Sequence, residues 1–181
     1  SSRPCSSNSQ QTIGDCYIGV ANLVEEQSTD HVARVAAFSL DVMKAAAETA
    51  IDPKVPSKGN ISMRVGFDVG PVVGHLVGRK HKKYTIFGNT VNTASRMEST
   101  SIPDKIQCTQ RAARLLLQQD PAFKLKHRGL VQVKGRGSLE TYFVEARAEA
   151  SQPLPPPPPF PSGPTSSGSS KALVVQASLS K

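Results

Sequence analysis

The stretch Tyr84-Thr85-Ile86-Phe87-Gly88-Asn89-Thr90-Val91-Asn92-Thr93-Ala94-Ser95-Arg96-Met97-Glu98 constrains the fold more than any other part of this chain. It reads as a short strand, a Gly-Asn break and a helix that opens with polar residues. Asn89 or Thr90 is expected to cap that helix, because a short side-chain oxygen can accept from a free backbone N–H. Asn92 and Arg96 then share one helix face, four residues apart. An amide beside a guanidinium suits an oxyanion or a phosphate. Taken alone, such a pair is ordinary on the outer face of an amphipathic helix.

A chain of 181 residues can hold one domain with a real core and a tail. Cys5, Cys16 and Cys108 are odd in number and far apart, with no CxxC pair and no Cys/His cluster. Neither a disulfide framework nor a zinc site is indicated, and a reducing compartment is the simpler reading. No apolar run is long enough to span a bilayer, and no signal-peptide pattern is visible. The chain opens on Ser1, so it reads as a fragment, and a membrane anchor could lie outside it.

The formal charge of +8 could serve nucleic acid, acidic lipid or a polyphosphate. Much of the excess is local, in Arg79, Lys80, Lys82 and Lys83, and reads as a solvated hairpin loop. Aromatics are only 5% of the chain and do not interleave with the basic residues, so nucleic acid is not expected as a partner.

Residues 1–10 are Ser-rich and without periodicity, and are expected to be disordered. Gln11 to Leu23 holds two β-prone runs around Gly14-Asp15, which fits a hairpin. Asp30 can cap a helix running to about Thr49, in which Val32, Val35, Ala36, Ser39, Val42, Met43 and Ala46 follow helical spacing. Ile61 to Leu76 reads as a buried strand broken at Gly70-Pro71. Lys105 to Cys108 is a short strand, and Thr109 can cap a helix containing Ala112, Ala113, Leu115, Leu116 and Leu117. Phe123 to Val133 and Thr141 to Val144 read as strands joined through the turn Lys134 to Gly137. This mixed order points to an α+β fold. Residues 147–181 read as a Pro/Gly/Ser-rich tail or linker, with Ala172-Leu173-Val174-Val175 too short to interpret.

The run from Tyr84 to Glu98 resembles, nearly without gaps, the signature of the class III nucleotidyl cyclases, the family of adenylyl and guanylyl cyclases. Thr12-Ile13-Gly14-Asp15-Cys16-Tyr17, Met63-Arg64-Val65-Gly66 and Val133-Lys134-Gly135-Arg136-Gly137 resemble further family segments, in the family's order. The resemblance covers residues 11–146 and implies a ferredoxin-like α+β catalytic domain lacking its first strand and following helices. By this resemblance Asp15 is a metal ligand, Arg64 and Lys134 bind substrate phosphates, Asn92 orients the ribose, and Arg96 stabilises the transition-state phosphate. Gln11 and Thr85 match the two purine-reading positions. Thr85 leans towards adenine, whereas Gln11 fits neither the adenylyl nor the guanylyl pattern. Asp68 stands where the family often has His or Asn.

The resemblance also implies a head-to-tail homodimer or heterodimer of cyclase domains, Mg²⁺ or Mn²⁺ as cofactor with two ions in the complete domain, and ATP or GTP as substrate. Asp15 and Arg64 would come from one chain, and Asn92, Arg96, Lys134, Gln11 and Thr85 from the other. The expected role is an intracellular cyclase domain on the cytoplasmic face, with room for a membrane link through regions outside this chain. The family's other metal aspartate lies upstream on the first strand, and nothing before Asp15 is acidic. The fragment alone is therefore expected to be inactive. The alternative is a non-catalytic cyclase-like module that pairs with an active partner or senses nucleotide.

Overall fold

The computed structural model describes residues 9–13, 16–22, 29–77, 83–148 and 170–179. In chain order these form β1 (Ser9–Ile13), β2 (Cys16–Ala21), α1 (His31–Glu48), a 3-10 turn (Pro56–Lys58), β3 (Met63–Val77), β4 (Lys83–Phe87) and α2 (Asn89–Ser99). Then come β5 (Lys105–Thr109), α3 (Gln110–Gln119), β6 (Phe123–Val133), β7 (Gly137–Arg147) and β8 (Ser170–Leu179). The strand order is β1-β2-β8-β3-β5-β7-β6, and β4 pairs with the far end of β3. The β3–β5 pairing is parallel and the others are antiparallel. This is the α+β arrangement that the sequence implies.

The run Val65-Gly66-Phe67-Asp68-Val69-Gly70 in β3 explains the layering. Successive side chains on a strand point to opposite faces. Val65, Phe67 and Val69 pack with Val32, Val35 and Ala36 of α1 and with Ala112, Ala113 and Leu116 of α3. The opposite face carries Gly66, Gly70 and Val72, and there α2 lies. Gly70-Pro71 does not end the strand. It falls between the stretch paired with β5 (Arg64 to Phe67) and the stretch paired with β4 (Val73 to Val77), where β3 changes partners on that edge.

β8 is the main departure from the expected layout. Residues 147–181 do not all form a tail, because Ser170–Leu179 lies inside the sheet. β2 and β3 both run antiparallel to β8, so β2, α1 and β3 make a split β-α-β unit with β8 between its strands. Both faces of β8 are covered: Val175 and Ala177 join the core under α1 and α3, and Val174 joins the core under α2. A strand buried on both faces reads as an unbroken apolar run, without the alternation that marks a half-exposed strand. At the other end, Ser9 and Gln10 belong to β1, so pairing starts inside the segment expected to be disordered.

Two helix caps also differ from expectation. Asp30 makes no capping hydrogen bond to α1 and instead accepts from Arg34 Nε at 2.6 Å. The free N–H groups of Val32 and Ala33 donate to Gln119 Oε1 at 2.8 and 3.1 Å, so the end of α3 caps the start of α1. At α2 the cap position falls to Gly88, with φ +146°, rather than to Asn89 or Thr90. A Cβ on Gly88 would stand 3.1 Å from the Pro71 carbonyl oxygen, and Thr90 Oγ1 donates to that same oxygen at 2.9 Å. Thr109 caps α3 as expected, accepting from Ala112 N at 3.4 Å.

Candidate functional site

Two glycines of β3 decide where α2 lies. A Cβ on Gly66 would stand 2.0 Å from the backbone nitrogen of Glu98, closer than any real contact. On Gly70 it would meet Thr90 Oγ1 at 2.7 Å. At Gly66 the helix therefore rests its backbone on the strand, which is the use of glycine where two chains approach closely, and at Gly70 the Thr90 hydroxyl takes the space. Thr90, Thr93, Ala94, Met97 and Glu98 form its buried face. Asn92 and Arg96 are left exposed on the outer side, four residues apart as the sequence predicts. Thr100 Oγ1 donates to the Arg96 carbonyl at 2.6 Å and closes the last turn.

Arg64 lies half-buried on β3 beside the end of α2. Its Nε donates to Glu98 Oε1 at 3.2 Å, and Ser178 Oγ of β8 donates to the same oxygen. The Glu98 side chain is only 7% exposed, so its charge needs these partners. The two Nη groups of Arg64 make no other hydrogen bond among the described residues, which leaves donors for an anion.

The remaining candidates are spread out. Thr85 is half-buried on β4 opposite His75, in the strand that leads directly into α2. Gln11 lies on β1 opposite Ile18, at one end of the strand order. Lys134 is exposed in the β6–β7 turn, at the other end. Asp15 lies outside the described residues. Thus Asn92 and Arg96 share a surface and Arg64 touches the same helix, but a single chain does not gather Gln11 and Lys134 into one pocket. Among the described residues no group of three or more His, Cys, Asp or Glu could hold a metal ion.

The structure also brings together residues that sequence reasoning missed. Asp68, left without a role by the sequence, is fully buried. It accepts from Thr109 Oγ1 at 2.6 Å and from Arg111 Nε at 2.7 Å, with a second contact from Arg111 Nη2. The hydrogen bonds that Arg111 donates to Asp68 raise the Arg111 pKa above its ordinary value, with the Asp68 charge acting in the same direction against partial burial. Burial, and secondarily the nearby Asp68 charge, pushes the Cys108 thiol far above the usual thiol range. An acid inside the apolar run from Val65 to Val69 was a readable sign of a buried pair; its partner far along the chain was not. Gln107, also fully buried, accepts from Arg128 Nη1 and donates to Thr100 Oγ1 at 3.2 Å, tying β5 to β6 and to the end of α2. Burial lowers the Arg128 pKa.

The helix that opens directly after β4 and shows an outward Asn92–Arg96 pair, set on an α+β sheet, is the arrangement that the resemblance to the class III cyclases implies. Residues 8–146 match the family described as the adenylate and guanylate cyclase catalytic domain, and this chain belongs to that family. It is 36% identical over 147 residues to retinal guanylyl cyclase 1 of Rattus norvegicus, covering 80% of this chain and 13% of that protein. It is 40% identical over 134 residues to receptor-type guanylate cyclase gcy-8 of Caenorhabditis elegans, covering 74% of this chain and 12% of that one. The chain thus spans 12% and 13% of the length of these two curated relatives. The guanylate cyclase domain of RhGC from Catenaria anguillulae, solved in complex with GTP, matches with a TM-score of 0.65 and 34% identity, covering 76% of this chain and 71% of that one.

Proposed function

We propose that this chain is the larger part of a nucleotidyl cyclase catalytic domain that, within its longer protein, converts a purine nucleoside triphosphate to a 3′,5′-cyclic nucleotide and pyrophosphate. The observation that carries this reading is the outward Asn92–Arg96 pair on a helix held close to β3 by backbone contact at Gly66 and by Thr90 against Gly70. Such chemistry depends mainly on positioning and on donors aimed at the charge that develops on the phosphate. A rigid mount serves both needs better than a loop does.

In this reading the ribose 3′-hydroxyl attacks the α-phosphate and pyrophosphate leaves. Asn92 orients the ribose, and Arg96 donates to the α-phosphate oxygens as charge builds there. The unengaged Nη groups of Arg64 and the ammonium of Lys134 bind the terminal phosphates. Thr85 and Gln11 read the base. Their spread over the sheet, with Gln11 and Lys134 at opposite ends of the strand order, supports sites shared between two cyclase domains. Asp15 is assigned to a divalent metal, Mg²⁺ or Mn²⁺. The described residues supply no metal-holding cluster, so further ligands must come from elsewhere. Similarity to guanylyl cyclases favours GTP and the side chain of Thr85 favours ATP. The domain faces the cytoplasm, and no helix among the described residues is long and apolar enough to cross a membrane.

A specific observation favours a second reading, a nucleotide-binding module without turnover. The strand beside β2, β8, carries no acidic residue. The test is Mn²⁺-dependent turnover of ATP and GTP, side by side, by the full-length protein. Cyclic product from one nucleotide supports the enzyme and settles base choice. Binding of nucleotide by a folded dimer with no product from either supports the module.

A further inference from the structure

We infer that Arg128, Gln107 and Thr100 form a positioning relay for Arg96: a guanidinium on β6 fixes, through one buried amide and one hydroxyl, the last turn of α2 and with it the direction of the catalytic arginine. The inference rests on the cyclase reading for what Arg96 does, and on the geometry alone for how it is held.

The direction of the relay follows from what each group can donate. A guanidinium carries donors only. Arg128 Nη1 donates to Gln107 Oε1, so the amide oxygen of Gln107 must face β6 and its NH2 group must face α2. That NH2 group donates to Thr100 Oγ1 at 3.2 Å and lies 3.6 Å from Met97 Sδ. Because Thr100 Oγ1 accepts from Gln107, its own proton goes to the Arg96 carbonyl, at 2.6 Å. The Thr100 backbone N–H donates to the same carbonyl at 3.0 Å. Arg128 Nη1 also donates to the Thr100 carbonyl at 2.7 Å, so a cation stands at the C-terminal end of α2, where free carbonyls and the helix dipole favour it. Hydrogen bonds aligned in this way polarise one another and act as a unit.

Burial makes the relay a fixed part of the molecule. Gln107 is fully buried on β5, and loss of either partner leaves one of its polar groups unsatisfied. The Arg128 guanidinium lies over the Phe143 ring of β7, 5.1 Å from its centroid, which holds the source of the relay. Gly66 meets the same end of α2 from the sheet, at the Glu98 backbone. One close approach does not stop a helix end from turning about its own axis. A second anchor, from β5 and β6 to the turn that contains Arg96, does. Arg96 has a long side chain, so a small rotation at its backbone moves the guanidinium much further.

Exchange and turnover in the full-length protein test this separately. In the Arg128→Met protein the amides of Thr100 and Ser101, which donate to the Arg96 and Glu98 carbonyls, are expected to lose at least about tenfold of their protection while α1 keeps its own, since exchange reports local opening. Unchanged protection at Thr100 and Ser101 overturns the inference. Thr100→Val keeps the shape of the side chain and removes the hydroxyl. With whichever of ATP and GTP the wild type turns over, its kcat is expected to fall about tenfold with KM within about twofold, because misplacing a group that acts in the transition state costs rate rather than binding. Thr100→Ser keeps the hydroxyl and is expected to recover most of that rate. In the Arg96→Ala background Thr100→Val is expected to change kcat by less than about twofold, because a positioning residue has nothing to act on once the positioned group is gone. A further loss of about tenfold in that background assigns the relay to stability alone and overturns the inference, as does an unchanged kcat in Thr100→Val itself. A wild-type protein that makes no cyclic product overturns the cyclase reading, and the exchange result then decides the relay on its own.

Discussion

The two faces of the sheet hold their helices by different means. Under α1 and α3 the contact is made by interdigitated side chains, among them Val32, Phe67, Leu116 and Val175. Under α2 the central contact is backbone on backbone at Gly66, with the Thr90 hydroxyl close against Gly70 and fewer apolar side chains around it. The first arrangement gains area removed from water, roughly 25 cal/mol per Å², and tolerates local repacking. The second gains less area but leaves the helix little room to shift. The candidate catalytic pair is mounted on that second face. Stability and positioning are thus carried largely by different sides of one sheet.

The sharpest way to break this contrast is Gly66→Ala. Its methyl would meet the Glu98 backbone at 2.0 Å, so the helix or the strand must move. The expected cost is above about 3 kcal/mol, beyond the common range for over-packing, read as a fall in the urea midpoint. A cost below about 1 kcal/mol, the scale of a tolerated substitution, would show that α2 is free to slide. Leu116→Ala on the other face removes a fully buried side chain and should cost about 3 kcal/mol, while the helices there relax around the cavity. Should nucleotide be turned over, this variant is expected to keep its kcat under conditions where it remains folded.

Asp68→Asn comes next, at about 2 kcal/mol, because Arg111 loses its charged partner while Thr109 keeps an acceptor. A double-mutant cycle with Arg111→Gln measures the pair itself, and zero coupling would remove Asp68 from the link between β3 and α3. A smaller effect is expected from Cys108, whose ordinary value near 9.0 is raised by burial under α1 and α3. Above pH about 9 the unfolded chain gives up a proton that the native thiol keeps, so stability falls as pH rises, by up to about 1.4 kcal/mol per pH unit. Cys108→Ala should flatten that slope, and an unchanged slope would assign it to other groups. Smallest of all for stability is Arg96→Ala, within about 0.5 kcal/mol because the side chain is exposed. Its expected effect is on turnover, with kcat falling far more than nucleotide affinity. An equal loss of affinity at unchanged turnover would count against its proposed role.

Much of this arrangement could be read from the chain. Helical spacing located α1 and α3, the Gly-Asn break located the start of α2, and the Lys-Gly-Arg-Gly turn located the β6–β7 hairpin. Each of those signals is local. The missed features depend on partners distant in sequence. Gln119 caps a helix that begins at His31, and that cap displaced the obvious candidate, Asp30. Nothing in the sequence around Glu98 signals its burial, which Arg64 and Ser178 make possible from distant strands. β8 was hidden because burial on both faces erases alternation and leaves four apolar residues that resemble any short apolar run. Of the candidate site residues, Asn92 and Arg96 share the helix face that their spacing implied, whereas the ion pair that occupies Arg64 Nε could not be read from Met63-Arg64-Val65-Gly66.

The place of β8 bears on the order in which the molecule can assemble. Cys16 waits for Ser178 and Val65 waits for Ala177, so the middle of the sheet closes only after the ribosome has made residues 170–179. Helices α1, α2 and α3 and the β6–β7 hairpin can form earlier from nearby contacts. During that interval β2 and β3 keep open edges and apolar faces in a crowded cell, where pairing with another chain competes with the native partner. Such long-range closure slows folding. The vulnerable period for this protein is therefore its synthesis, and a chaperone that shields those two edges until the last strand arrives would raise its yield more than its final stability.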